Sequence, residues 1–181
     1  MYIVPEKLIS ELISLKTSYS AVEDVFSAMA KKKAYNFPVI RESIGYSNAL
    51  YGFKSGFDKE GLSLGLKAGG YWPENESMGI PNHQSTIFLF DANTGKISAI
   101  VGGNLLTAFR TAAASSISIN HLARQDSKVL GMIGAGYQSA FQMQAAARQR
   151  GFEKILGWNH HPEMISRLEQ TAEEVGIPYE T

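Results

Sequence analysis

Apolar residues along the chain keep two different periods, and the change between them divides it. Leu8, Ile9, Leu12 and Ile13 recur at helical spacing, and Ser20-Ala-Val-Glu23 has the form of a capping box ahead of Val25, Phe26 and Met29, so the opening stretch predicts helix. From Phe37 to Val101 the runs shorten. Apolar or aromatic segments at 49–53, 62–68, 86–90 and 97–101, separated by glycine- and asparagine-rich turns, predict strands. The last two, joined by Asp91-Ala-Asn-Thr-Gly-Lys96, predict an antiparallel hairpin. Residues 105–122 return to a helical pattern rich in Ala and Ser, and Arg124-Gln-Asp-Ser-Lys128 is a polar link.

Beyond the link the order of elements changes again. Residues 129–133 predict a short buried strand, Gly134-Ala-Gly136 a tight turn, and the Gln- and Ala-rich run to Arg150 a helix; 154–158 predict a second strand and 162–175 a second helix. This is the β-α-β-α opening of a doubly wound sheet. Two parallel strands bury neither face fully and make no switch-point cleft, so this half reads as cut short. The expected fold class is α/β: an α+β domain over 1–124, followed by an incomplete dinucleotide-binding unit of Rossmann type over 125–181.

Composition narrows the function. Eleven of the 17 glycines lie between Gly45 and Gly103, in the strand-and-turn region. The 17 basic residues balance 17 acidic ones, so no overall basic footprint for nucleic acid exists. Absence of cysteine excludes a disulfide framework and thiolate chemistry, and His83, His121, His160 and His161 have no metal-ligand spacing. The first residues, with Glu6 and Glu11, match neither a signal peptide nor a membrane span, which makes the cytoplasm the expected location. Lys31-Lys-Lys33 suits the C-terminus of the preceding helix.

Two groups of residues carry candidate chemistry. Gly134-Ala135-Gly136, after a strand and before a helix, allows a pyrophosphate to approach backbone N–H donors at the positive end of a helix dipole. Ser139 stands in the usual third-glycine position. At the end of the second strand, Trp158-Asn159-His160-His161 offers no carboxylate for the ribose hydroxyls, so Asn159 and His160 either donate to a 2′-phosphate, favouring NADPH, or simply begin the next helix. The second group is cationic. Arg41, Lys67 and Arg110 each sit in an apolar, uncharged context, and a buried cation needs an anion, supplied either by a structural salt bridge or by a substrate carboxylate.

Residues 105–114 with Arg110-Thr-Ala-Ala113, His121-Leu-Ala-Arg124 and 129–138 with Gly134-Ala-Gly-Tyr-Gln138 together resemble the ornithine cyclodeaminase and mu-crystallin family; Phe88-Leu-Phe-Asp91, Thr94-Gly95 and Leu66-Lys67 extend the likeness over nearly the whole chain. The resemblance implies a substrate and dimerisation domain joined to a Rossmann domain, a homodimer, a small amino- or imino-acid substrate and NAD or NADP. It also implies that the chain covers the first domain's N-terminal portion and about the first third of the cofactor domain. By that resemblance Arg41, Lys67 and Arg110 hold the α-carboxylate, with Lys67 and Arg110 catalytic, while Thr111, Gly134, Ala135, Gly136, Tyr137 and Gln138, with Asn159 and His160, face the cofactor. His83 either donates to a second substrate carboxylate or caps a strand end. Tyr71 and Trp72 wall a pocket or serve a generic apolar role, and Asn104 and Thr107 are expected near Arg110.

Residues 35–42, 50–54 and 69–73 are most similar to the branch that reduces iminosuccinate to aspartate. That likeness favours NADH, against the second-strand argument, and leaves the preference open. The expected activity is NAD(P)H-dependent reduction of an imino acid. The alternatives are a cyclodeaminase converting ornithine to proline and ammonia with recycled NAD, and an inactive or crystallin-like dinucleotide-binding protein.

Overall fold

Strand alternation in the glycine-rich region builds a seven-stranded sheet. The structure, a computed structural model, describes all residues from Met1 to Thr181. The chain separates into two compact units, one of Met1–Ser14 and Asp24–Thr107, the other of Leu15–Glu23 and Ala108–Thr181. The division thus falls inside the long helix, at Thr107/Ala108, and not at the polar link after Arg124.

The first unit holds β1 (Tyr2–Val4), α1 (Ile9–Leu12), the C-terminal half of α2 (Leu15–Ala30), β2 (Ala34–Asn36), β3 (Ile40–Ser43), β4 (Leu50–Asp58), β5 (Ser63–Tyr71), β6 (His83–Asp91) and β7 (Ile97–Gly102). Their order is β1-β7-β6-β5-β4-β2, with β3 also paired to β4. Only β1 runs parallel to its neighbour; the other pairings are antiparallel. The β6–β7 hairpin forms as expected. Asp91 accepts hydrogen bonds from the N–H of Asn93 (3.0 Å) and Thr94 (2.8 Å) and from the Thr94 hydroxyl (2.9 Å), and Gly95 supplies the left-handed residue at φ +69°.

Three short strands, β1, β2 and β3, escape the sequence reading because none exceeds four residues and each takes its identity from a partner elsewhere. The Ser20 capping box is a correction: Ser20 lies inside α2, which begins five residues earlier. The lysine run does follow the helix end at Ala30, and Lys33 pairs with Glu60.

The second unit holds the first part of α2, the helix α3 (Asn104–Leu122) from Ala108 onward, β8 (Val129–Ile133), α4 (Tyr137–Ala147), β9 (Lys154–Trp158), α5 (Ser166–Val175) and β10 (Tyr179–Glu180). Here the expectation of two strands is corrected. A third, β10, pairs parallel to β9 through only two residues, giving the order β10-β9-β8. Met143, Ile155 and Leu168 are fully buried with Ala135 and Ala172, forming the core between α4, α5 and the sheet. Within this unit Arg150 clasps the end of α3 and the residues after it: its guanidinium donates to the carbonyls of Ile119 (2.9 Å), Asn120 (2.9 Å), Ala123 (3.0 Å) and Arg124 (3.2 Å).

Candidate active site

Register decides which side chains of the first unit share a face, because directly paired residues project to the same side of a sheet. Arg41 pairs with Gly52, Gly52 with Gly69, and Gly69 with Ser85. Lys67 stands two residues before Gly69 and His83 two before Ser85, so Arg41, Lys67 and His83 rise from one face. Between them Gly52 and Gly69 leave the floor without side chains. Neither position admits one: a Cβ at Gly52 would lie 2.0 Å from the Ile40 carbonyl oxygen, and at Gly69 2.4 Å from that of Gln84.

Lys67 is half-buried, and its ammonium donates to the Thr107 hydroxyl at 3.0 Å. Asn104 organises the adjacent corner. Its carbonyl oxygen accepts from the Ser85 N–H at 2.8 Å, and its amide donates to Gln84 at 3.2 Å. The start of α3 is capped from far away in sequence: the Glu6 carboxylate accepts from the N–H groups of Asn104 (3.1 Å) and Leu105 (2.7 Å). Gly102 makes room for that cap, since a Cβ there would lie 2.5 Å from a Glu6 carboxylate oxygen. Glu6 carries no local signal of this role, being 98 residues from Asn104.

The expectation that the cations are buried is corrected. Arg41 and Arg110 are exposed. Neither side chain has a hydrogen bond or ion pair, so no structural salt bridge accounts for them. Partial desolvation draws the Arg110 pKa below its ordinary value, yet a guanidinium stays charged at physiological pH.

In the second unit, the glycine loop has the geometry its sequence implies. Gly134 lies at φ +99°, a conformation that favours glycine, and its N–H donates to the Trp158 carbonyl at 2.8 Å. Gly136 precedes α4 with extended backbone, and a Cβ built on it meets nothing within 4 Å. The open side of the loop therefore admits a phosphate against backbone. Gln138 sits on the first turn of α4 with its side-chain carbonyl oxygen buried and without a hydrogen-bond partner. Tyr137 is exposed and its ring lies 5.4 Å from that of Phe141; Thr111 is half-buried on α3.

Asn159 does not begin the next helix, which starts at Pro162 after His161. Its carbonyl oxygen accepts from the Ala135 N–H at 3.1 Å and its amide donates to the His161 carbonyl at 2.7 Å, so it latches the glycine loop to the turn after β9. His161 precedes the short helical turn at Pro162–Met164, and the rings of His160 and His161 meet edge-on at 4.9 Å. A cavity of about 410 Å³ also lies in this unit, lined by Leu15, Lys16, Tyr19, Ser116 and Arg148 among others, and contains none of the expected site residues.

Tyr71 and Trp72 join an aromatic and amide edge: the Tyr71 hydroxyl accepts from Asn82 at 3.3 Å, and the Trp72 ring lies 6.3 Å from that of Tyr51. No helix is long and apolar enough to cross a membrane.

The model of the ornithine cyclodeaminase/mu-crystallin family matches residues 6–180. An iminosuccinate reductase of Paracoccus denitrificans is 62% identical over 180 residues, covering 99% of this chain and 56% of the relative. The crystal structure of that organism's iminosuccinate reductase in complex with NAD⁺ superposes with a TM-score of 0.93 over the same 99% and 56% shares at 62% identity. The Thermococcus litoralis Δ1-pyrroline-2-carboxylate reductase in complex with NADH and L-proline is 30% identical with a TM-score of 0.91, over 99% of this chain and 56% of that one. A ketimine reductase mu-crystallin of Mus musculus is 31% identical over 103 residues, 57% of this chain and 33% of the relative. The chain spans little more than half the length of the first two relatives.

Proposed function

This chain belongs to the ornithine cyclodeaminase/mu-crystallin family, and from that premise we propose that the protein is an NAD(H)-dependent reductase of imino acids, acting on iminosuccinate to give aspartate. The observation that carries this reading is the cationic face of the first unit. Arg41 and Lys67 rise beside the bare floor of Gly52 and Gly69, and Arg41 has no internal anion. An anionic imino acid supplies the missing charge.

In this reading Arg41 and Arg110 hold the α-carboxylate as forks. Lys67, positioned by Thr107, balances charge at the imine and delivers the proton to nitrogen. His83 rises from the same face as a further donor. Gly134 to Gln138 receive the pyrophosphate at the head of α4, with Thr111, Tyr137 and His160 completing the cofactor side. A bound nicotinamide supplies the hydride that adds to the imine carbon. Most of this site's contribution is orientation and charge, because the hydride chemistry belongs to the cofactor.

NADH is placed before NADPH. Asn159, a residue that would favour a 2′-phosphate, already has its carbonyl oxygen and one amide hydrogen bond committed to backbone. The NAD⁺ and NADH held by the two related structures support the same order.

The opposite sheet face supports the proposal of a homodimer. Phe57, Leu64 and Phe90 form one cross-strand row, and Leu66, Phe88 and Ile100 another. Phe53, Ile40 and Tyr35, on the same side, remain 38%, 54% and 41% exposed. A second copy of the chain is the proposed cover for this largely apolar surface, on which Glu42 is the charged residue of β3.

The deciding assay follows NADH oxidation in oxaloacetate and ammonia, which generate iminosuccinate, with ammonia omitted as control. Stoichiometric aspartate formation is expected. Conversion of ornithine to proline and ammonia without net NADH consumption would instead establish a cyclodeaminase. Sedimentation equilibrium of the protein and its Phe53→Asp variant tests the dimer; identical mass for both would remove Phe53's face from the interface.

A further inference from the structure

We infer that Lys54 is the specificity residue that receives the second carboxylate of a dicarboxylic imino acid. The inference rests on the reductase reading and adds what the family resemblance does not assign. Lys54 on β4 pairs directly with Lys67 on β5. Directly opposed residues project from the same face with Cβ atoms about 5 Å apart, and like charges so placed repel. Lys54 also follows Gly52 by two residues, which puts it on the face that carries Arg41.

Three cations therefore surround the same glycine floor. Lys54 is exposed, and its side chain has neither a hydrogen bond nor an ion pair. Along this face the positions next to it on β4 are Gly52 and Gly56; their β5 partners are Gly69 and Gly65, and Ile87 follows Lys67 on β6. None is acidic. Asp58 and Asp91, the acids at the far end of the face, stand four residues from Lys54 along β4 and from Ile87 along β6. At about 3.4 Å per residue that separation exceeds 13 Å.

A monocarboxylate neutralises one charge and leaves the Lys54–Lys67 repulsion largely in place. A four-carbon dicarboxylate presents its second anion a few ångströms from its first, which is the spacing of two opposed side chains on neighbouring strands. His83 is placed less well for this task. It belongs to the Tyr71 row, four residues along β5 from Lys67.

The test compares two substrates in one protein. Oxaloacetate with ammonia supplies the dicarboxylic imine, and pyruvate with ammonia the monocarboxylic one. For Lys54→Met, loss of one charge-assisted contact should raise KM for the dicarboxylic imine by about ten-fold or more, while KM for the monocarboxylic imine changes by less than about two-fold. Lys54→Arg should recover most of the dicarboxylate preference. Equal changes for both imines, or no change for either, would overturn the assignment. Circular dichroism of Lys54→Arg and Lys54→Met separates a folding defect from a selective one. A full-length parent protein that reduces neither imine defeats the reductase reading, and Lys54's role with it; one that reduces both with equal efficiency defeats Lys54's role alone.

Discussion

The two units solve the problem of burying apolar surface in opposite ways. The second unit closes a small core: three parallel strands, α4 and α5 enclose Met143, Ile155 and Leu168 completely. The first spreads seven strands into a sheet whose apolar face is only partly covered, while its other face carries cations over glycine. A packed core holds the glycine loop in place through the buried Ala135. An open sheet leaves side chains on both faces partly exposed, so its residues answer less to internal packing.

Substitutions that separate these roles sharpen the contrast. The largest effect is expected from Arg110→Ala, which removes a fork from the proposed carboxylate clamp. By comparison with truncated charge pairs, about 2–5 kcal/mol, kcat/KM should fall roughly 30-fold to several thousand-fold. Cofactor affinity, read by fluorescence titration, should barely move. An Arg110→Ala protein of near-normal efficiency would remove that residue from the clamp.

Leu168→Ala strikes the closed core. A buried leucine truncated to alanine costs about 2–5 kcal/mol, so the variant should melt well below the parent. Little change in melting temperature would mean that the second unit's core is not what holds it.

Gly136→Val should reverse the Arg110→Ala pattern. A Cβ at this position meets nothing within 4 Å and the backbone is extended, so the loop is expected to tolerate a side chain. A bound pyrophosphate would not. Dinucleotide affinity should weaken by about a hundred-fold with an unchanged melting curve, the loss of two or so charge-assisted contacts. Tight binding by a native-like Gly136→Val protein would show that this loop is not the phosphate site.

Glu6→Ala removes the distant cap of α3. Capping losses of about 0.5–2 kcal/mol are expected, visible as a modest drop in melting temperature. An unchanged curve would show that Asn104 and Leu105 find other acceptors.

The smallest effect belongs to Asp91. The Thr94 hydroxyl, then the N–H groups of Thr94 and Asn93, hold its carboxyl below the usual carboxylate range. A depressed pKa contributes stability above the unfolded value, and that contribution is lost as pH falls through the folded one. The hairpin should thus be insensitive to pH from neutral down to about 4 and loosen below it. Amide exchange of Thr94 and Gly95 measures this, and exchange equally fast in Asp91→Ala and the parent at neutral pH would contradict it.

Much of this protein was legible in its residues because the relevant signals are local. The β6–β7 hairpin, the strands at 129–133 and 154–158, and the glycine loop each lie within a few residues of the groups that define them. The long helix begins at Asn104, one residue before its expected start. Arg41, Lys67 and Arg110 stood out as cations in apolar text, although the exposure of Arg41 and Arg110 did not. Short strands were harder: β1 owes its pairing to β7, almost a hundred residues later. The Ser20 motif misled because a capping box also fits the interior of a helix when earlier residues continue the helical turn.

By itself the sequence determined the two periods, the turn residues, the glycine at the left-handed position 134 and the cations set in apolar surroundings. Tertiary structure alone decided that Glu6 caps α3, that Asn159 latches Ala135, and that Lys54 opposes Lys67. These last facts depend on strand register and long-range closure. A shift of one residue would turn Lys54 to the other face, and no local propensity encodes that choice.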